Sequence, residues 1–191
     1  MNGVWRDHPI FSMILGICSA LAVSNKVENA IAMGAGVTFV LVATAIIVSL
    51  LRKMIPRRVR MIAYMLVIAS FVIIVDRFLK AYFPTTSESI GPYVGLIITN
   101  CIIMGRAEAF YIQNNFGQSI LDAVANGIGY TLTLSLIAIV REVLGFGTIL
   151  GFQVMPDGFT PWVVMAMAPG AFFVLALFIW VSRTITKMES D

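Results

Sequence analysis

The sequence predicts an all-α integral membrane protein: six transmembrane helices forming two inverted three-helix repeats, each opening with a short, cysteine-bearing helix. Three observations carry that fold class. Of 191 residues, 59% are hydrophobic and 12% charged, with a mean hydropathy of +0.93. A soluble domain carries about 25% charged residues, so this chain lacks the charge to cover a water-facing surface. Apolar runs follow one another along the chain, several of them about 18 residues or longer, enough to cross a hydrocarbon core. The second half also repeats the layout of the first, down to the placement of the only two cysteines, Cys18 and Cys101.

The first run, Pro9 to Ser24, follows Trp5, a residue suited to the headgroup region. It starts at proline, whose missing N–H costs nothing in a first helical turn. The start, Met1 to His8, offsets Arg6 with Asp7, so no cleavable leader is expected. Leu15-Gly16-Ile17-Cys18 puts Ile17 where a lipoprotein site needs a small residue, which argues against lipidation of Cys18. The second run, Ala32 to Leu51, opens with Gly34 and Gly36, which permit close helix approach, and stops at Pro56. Between it and the third run lie five of the thirteen basic residues: Arg52, Lys53, Arg57, Arg58 and Arg60. Basic residues packed into a short connection mark a cytoplasmic loop. They are not interleaved with aromatic and polar groups, so no nucleic-acid surface is expected.

The third run, Met61 to Val75, leads into Asp76, Arg77 and Lys80, and Pro84 to Ser89 is expected to be a polar turn. The fourth, Ile90 to Gly105, is short and carries Pro92 at its start. Residues 111–120 are expected to form a connection. The fifth run, Ala123 to Val140, closes at Arg141-Glu142, and a glycine-rich loop spans Gly145 to Gly158. The sixth, Trp162 to Val181, exits through Arg183 and Lys187.

These six segments fall into two sets of three within a single membrane domain of residues 1–191, with repeat one at 9–83 and repeat two at 90–183. Pro9 lies nine residues before Cys18, and Pro92 nine before Cys101. Gly34, Gly36, Thr38, Leu41, Ala45 and Ile46 then match Gly127, Gly129, Thr131, Leu134, Ala138 and Ile139. Three crossings per repeat force the second repeat to insert upside down, which brings the special site to the midplane between the repeats. With the basic loop in the cytoplasm, both termini lie there too. Re-entrant cysteine segments would instead make the repeats parallel; the crossing arrangement is the one preferred.

Nine helical residues from proline to cysteine rise about 13.5 Å, close to half of a ~30 Å hydrocarbon core. Both cysteines are therefore expected near the membrane centre. Buried cysteine is often only a small hydrophobe, and a disulfide is a second alternative. Scarcity, matching repeat positions and shortened segments favour iron ligation by Cys18 and Cys101. An iron–sulfur site usually takes four cysteines, and His8 is the only histidine. On that reading the missing pair comes from another chain, either a second copy of this one or a related subunit with two cysteines of its own.

Arg106 and Glu108 follow Cys101 too soon for the segment to have left the lipid, so they are expected to face protein or water and to pair with each other or with a neighbour. Asp76 with Arg77, and Arg141 with Glu142, are expected as interfacial pairs. No nucleotide loop, catalytic triad, haem motif or zinc spacing occurs, and no catalytic residue is assigned.

The segment Thr99-Asn100-Cys101…Gly105-Arg106-Ala107-Glu108-Ala109-Phe110, with Leu15 to Val23, Ile55-Pro56-Arg57-Arg58-Val59-Arg60 and Val140-Arg141-Glu142, resembles a known family. That family is the six-helix membrane subunits shared by the sodium-pumping NADH:quinone reductase and the Rnf complex. The resemblance covers nearly the whole chain. It implies a bacterial inner-membrane location and a [2Fe–2S] cluster at the midplane. The cluster would be held by Cys18 and Cys101 and by two cysteines of a homologous, oppositely inserted six-helix subunit. That partner would be of the E type in the reductase or of the A type in Rnf. The resemblance further implies electron relay between other subunits of the complex, from NADH towards ubiquinone in one case and between ferredoxin and NAD in the other, coupled to sodium transport. An inverted-repeat secondary transporter is the alternative of another class, and a purely structural membrane protein is a third reading. A transporter needs polar substrate ligands at the midplane, where this chain offers thiols flanked by Ile, Leu and Met.

Overall fold

The structure is a computed structural model, and it describes residues 15–52, 54–82, 84–149, 152–153, 164 and 167–188. Trp5, His8, Pro9 and Trp162 lie outside them. The helices are α1 (Ile17–Val23), α2 (Val27–Leu51), α3 (Arg60–Tyr82), α4 (Pro84–Ile98), α5 (Cys101–Arg106), α6 (Phe116–Phe146) and α7 (Ala168–Met188). A 3₁₀ turn at Arg57–Val59 precedes α3, and a π-turn at Ala107–Tyr111 continues α5. A two-residue antiparallel hairpin, β1 (Thr148–Ile149) and β2 (Phe152–Gln153), falls in the glycine-rich stretch.

Among the described residues, four stretches are long and apolar enough to cross a membrane: Val27–Leu51, Arg60–Tyr82, Gly91–Tyr111 and Phe116–Phe146. A shorter apolar helix, Pro169–Val181, lies within α7. At about 1.5 Å per residue, the 25 residues of α2 reach about 37 Å, past the width of the core. On α3 the buried positions Tyr64, Ile68, Val72 and Val75 form one helical stripe, while Ile62, Leu66 and Ile73 are exposed. An outer surface of isoleucine, leucine and phenylalanine is stable in lipid, not in water. The chain is a membrane protein.

The centre of the fold is the pair α2 and α6, which run antiparallel. At one end the Val27 N–H donates to Glu142 Oε2 at 2.7 Å. At the other, Arg52 Nη1 donates to the Asn114 carbonyl, just before α6, at 2.7 Å. Where they cross, a Cβ on Gly34 would sit 2.6 Å from the Thr131 side chain, and a Cβ on Gly127 would sit 2.6 Å from that of Thr38. The hydroxyls of Thr38 and Thr131 donate to the carbonyls of Gly34 and Gly127, both at 2.8 Å, and lie 3.4 Å apart. The glycines and threonines paired here are those matched between the two halves of the sequence.

Several boundaries differ from the sequence expectations. Pro84 to Ser89 is helical, because Pro84 itself takes the tolerated first-turn place and α4 runs on through Pro92. Pro92 costs α4 only the bond to the Glu88 carbonyl. The connection expected over 111–120 shrinks to Ile112–Asn115, since Gln118 and Ser119 sit in the first turn of α6. There the Ser119 hydroxyl returns to the Asn115 carbonyl at 3.2 Å. Helix α3 extends to Tyr82, past the end of its apolar run. Asp76 pairs with Lys80 at 2.7 Å and not with Arg77, because neighbours in sequence point to different helix faces.

Candidate functional site

Both cysteines sit in the first turn of a short helix. Cys18 is the second residue of α1, and Cys101 is the first of α5. The fourth apolar run is therefore broken: α4 ends at Ile98, Thr99 and Asn100 are non-helical, and α5 restarts at Cys101. Asn100 causes the restart. Its side-chain oxygen accepts the Ile102 N–H at 3.1 Å, the cap that a new helix needs. An uninterrupted nine-residue helical rise from Pro92 to Cys101 is thus replaced by a helix, a break and a second start.

The two cysteine segments meet. The backbone N–H of Gly16 donates to Cys101 Sγ at 2.8 Å, across 85 positions of sequence. Gly16 has φ +83°, and a Cβ there would lie 2.6 Å from Ile102 Cδ1 and 3.1 Å from Tyr130 Cε2. Only glycine fits that conformation and that space. Both cysteines are free thiols, Cys18 exposed and Cys101 partly buried, so no disulfide joins them.

Behind the thiols lies a polar junction. The Ser19 hydroxyl is 2.7 Å from the Tyr130 hydroxyl and donates to the Gly16 carbonyl at 3.1 Å. Asn100 Nδ2 donates to Ser19 Oγ at 3.4 Å. Ser19, Asn100 and Tyr130 are all buried.

The charges singled out in the sequence find partners outside their own segments. Arg106 is buried and pairs with Asp122 of α6, through both Nε and Nη2. Its guanidinium also lies 5.3 Å from the centre of the Phe110 ring. Glu108 accepts from Arg60 at 3.0 Å and from the Tyr64 hydroxyl at 3.1 Å, tying the π-turn to α3. Arg141 and Glu142 are both buried, and each reaches neighbours well beyond its own segment. Arg141 donates to the Leu21 carbonyl, Ser24 Oγ and the Met167 carbonyl, while Glu142 accepts from the start of α2. Adjacent helix positions diverge by about 100°, which sends the two side chains to different neighbours.

Gly16, Ser19, Tyr130 and Asp122 are the site-shaping residues that sequence reasoning missed. Asp122 had a visible signal, a carboxylate just ahead of an apolar run. The others become visible only through contacts between distant segments. As iron ligands the two thiolates are chemically suitable, being soft donors, one of them already taking a backbone N–H of the kind that surrounds iron-bound sulfur. They amount to two of the four ligands a cluster needs. Among the described residues no group of three or more His, Cys, Asp or Glu could hold a metal within this chain.

Comparison with known proteins agrees with this architecture. The family described as Rnf-Nqr subunit, membrane protein, matches residues 1–179. The chain is 45% identical to the D subunit of the Na(+)-translocating NADH-quinone reductase of Chlamydia trachomatis, over 96% of this chain and 91% of the relative. It is 44% identical to the protein of the same name from Chlamydia felis, over 100% and 94%. It is also 41% identical to the E subunit of the Na(+)-translocating ferredoxin:NAD(+) oxidoreductase complex of Acetobacterium woodii, over 97% and 95%. The chain belongs to the Rnf-Nqr family of membrane subunits.

Proposed function

We propose that this chain is an electron-relay subunit of a multisubunit, sodium-translocating oxidoreductase of the bacterial inner membrane. Cys18 and Cys101 are the two thiolates it contributes to a [2Fe–2S] cluster, and a homologous six-helix subunit, inserted the other way up, contributes two more. Such a cluster supplies one-electron transfer through the membrane interior. The chain's own residues hold the two sulfurs on helix starts that the Gly16–Cys101 hydrogen bond brings together. No complete active site lies within the chain, which works as part of an enzyme complex.

The observation that carries this reading is the Gly16 N–H bond to Cys101 Sγ, two residues from Cys18, which brings the two cysteine segments together. The names of the relatives support sodium-coupled electron transfer. The antiparallel, reciprocal packing of α2 and α6 supports two inverted repeats, 9–83 and 90–183; six crossings, with the basic loop in the cytoplasm, would then put both termini there.

The test is iron and acid-labile sulfide content, with a reduced-state EPR spectrum, on the complex purified from membranes. A [2Fe–2S] signal that disappears in Cys18→Ser and in Cys101→Ser, with the complex still assembled, is the expected result. Unchanged iron and activity in both variants would leave a transporter or a scaffold as the better account.

A second reading, favoured by the Acetobacterium woodii relative, places the chain in a complex that transfers electrons between ferredoxin and NAD. NADH-driven quinone reduction by the purified complex, against ferredoxin-driven NAD reduction, separates the two.

A further inference from the structure

Ser19, Asn100 and Tyr130 form a polar junction in an otherwise apolar region, and all three are at most 3% exposed. Its hydrogen-bond directions are fixed by counting. A serine hydroxyl has one proton to give and two lone pairs to accept with. Ser19 gives its proton to the Gly16 carbonyl, so Tyr130 must be the donor at 2.7 Å and Asn100 Nδ2 the second donor at 3.4 Å. Every capacity of the serine oxygen is used. The other end of the Asn100 amide caps α5 through the Ile102 N–H. The junction thus grips α1 by Gly16 and Ser19, α5 by its cap and α6 by Tyr130, at the point where both cysteine helices begin.

Its consequence falls on Gly16. Ser19 holds the Gly16 carbonyl, and the Tyr130 ring packs beside Gly16, with Cε2 3.1 Å from where a Cβ would stand. Between them they keep residue 16 at φ +83°, the conformation in which its N–H meets Cys101 Sγ. An N–H bond to a ligating sulfur stabilises the more negative, reduced form of an iron–sulfur centre and so raises its potential.

We infer that Tyr130, acting through Ser19 and Asn100, is a positioning residue that holds the Gly16 amide on Cys101 Sγ and thereby raises the reduction potential of the centre this thiolate ligates. This rests on the ligand role proposed above for Cys101.

The experiment is an EPR-monitored redox titration, with iron and sulfide content, on the intact complex carrying Tyr130→Phe or Ser19→Ala. Tyr130→Phe removes one hydroxyl and keeps the ring; Ser19→Ala removes the acceptor at the centre of the junction. The expected result in each is full iron content with the midpoint potential moved to more negative values and a changed EPR line shape. Full iron content with potential and line shape unmoved in both variants overturns the inference. If one variant fails to assemble, the other decides on the same readout. Failure of both also overturns it, since the junction would then serve folding alone. A parent complex with no cluster signal would instead sink the ligand assignment, so the two failures are told apart.

Discussion

At Gly16 a single backbone conformation decides whether a sulfur receives a hydrogen bond. Gly16→Ala places a methyl group 2.6 Å from Ile102 Cδ1 and forces a side chain into the left-handed region. The strain costs about 1–2 kcal/mol and the overpacking about 1–3 kcal/mol more. The expected outcome is a purified complex with a lower unfolding temperature and reduced iron content, read by thermal scanning and metal analysis. Serine and valine at the same position are expected to be no better. The cysteines could be picked out of the sequence by scarcity and matched spacing. The residues that orient them could not, because Gly16, Ser19 and Tyr130 acquire their roles through partners 85 and 111 positions away. Asn100 lies between these cases. A polar Thr99-Asn100 pair in an apolar run is a helix-cap signal, and it marks the break before Cys101 that an uninterrupted helix passes over.

Helix contacts follow the same division. The alignment of Gly34 and Thr38 with Gly127 and Thr131 was legible in the sequence; their packing against each other was not, since a repeat need not touch itself. Gly34→Ala and Gly127→Ala should each destabilise by about 1–3 kcal/mol through overpacking. Thr131→Ala should partly relieve the first and Thr38→Ala the second, as double-mutant thermal unfolding in detergent would measure. No relief in either pair would mean that the crossing is looser than the 2.6 Å approaches indicate. The Arg106–Asp122 pair joins α5 to α6 with side chains only 6% and 11% exposed. Asp122→Asn leaves a buried guanidinium without its carboxylate, a loss of about 3–5 kcal/mol, whereas Arg106→Met with Asp122→Leu together should cost far less. Equal losses in the single and double variants would show that the carboxylate does more than balance Arg106. The sequence pointed to Arg106 but not to its partner, because a helix beginning at Phe116 was hidden by its polar first turn.

For the whole molecule, the hydrogen bonds sort the connections between helices into two groups. The turn after α2 and the turn before α6 are joined by Arg52 and Asn114. The turn between α1 and α2 is gathered with the far end of α6 and the start of α7 by Arg141 and Glu142. Reporter fusions after residues 55 and 114 should therefore give cytoplasmic activity, and fusions after residues 25 and 147 the opposite. Cytoplasmic activity after residue 55 but not after residue 114 would break the inverted arrangement. The membrane class, the long helices and the basic loop were plain from composition and length. Helix breaks and turn boundaries were not, because they depend on caps and packing that hydropathy does not register.

One exposed side chain bears on how such a complex is built in the cell. Cys18 stands on the outside of the single chain. If two chains each bring half of the ligands, metal can enter only after the chains have met. Iron loading then becomes a checkpoint on pairing: chains made in excess stay empty, and a gene dosage that upsets the ratio between partners lowers the yield of loaded complex without altering either sequence.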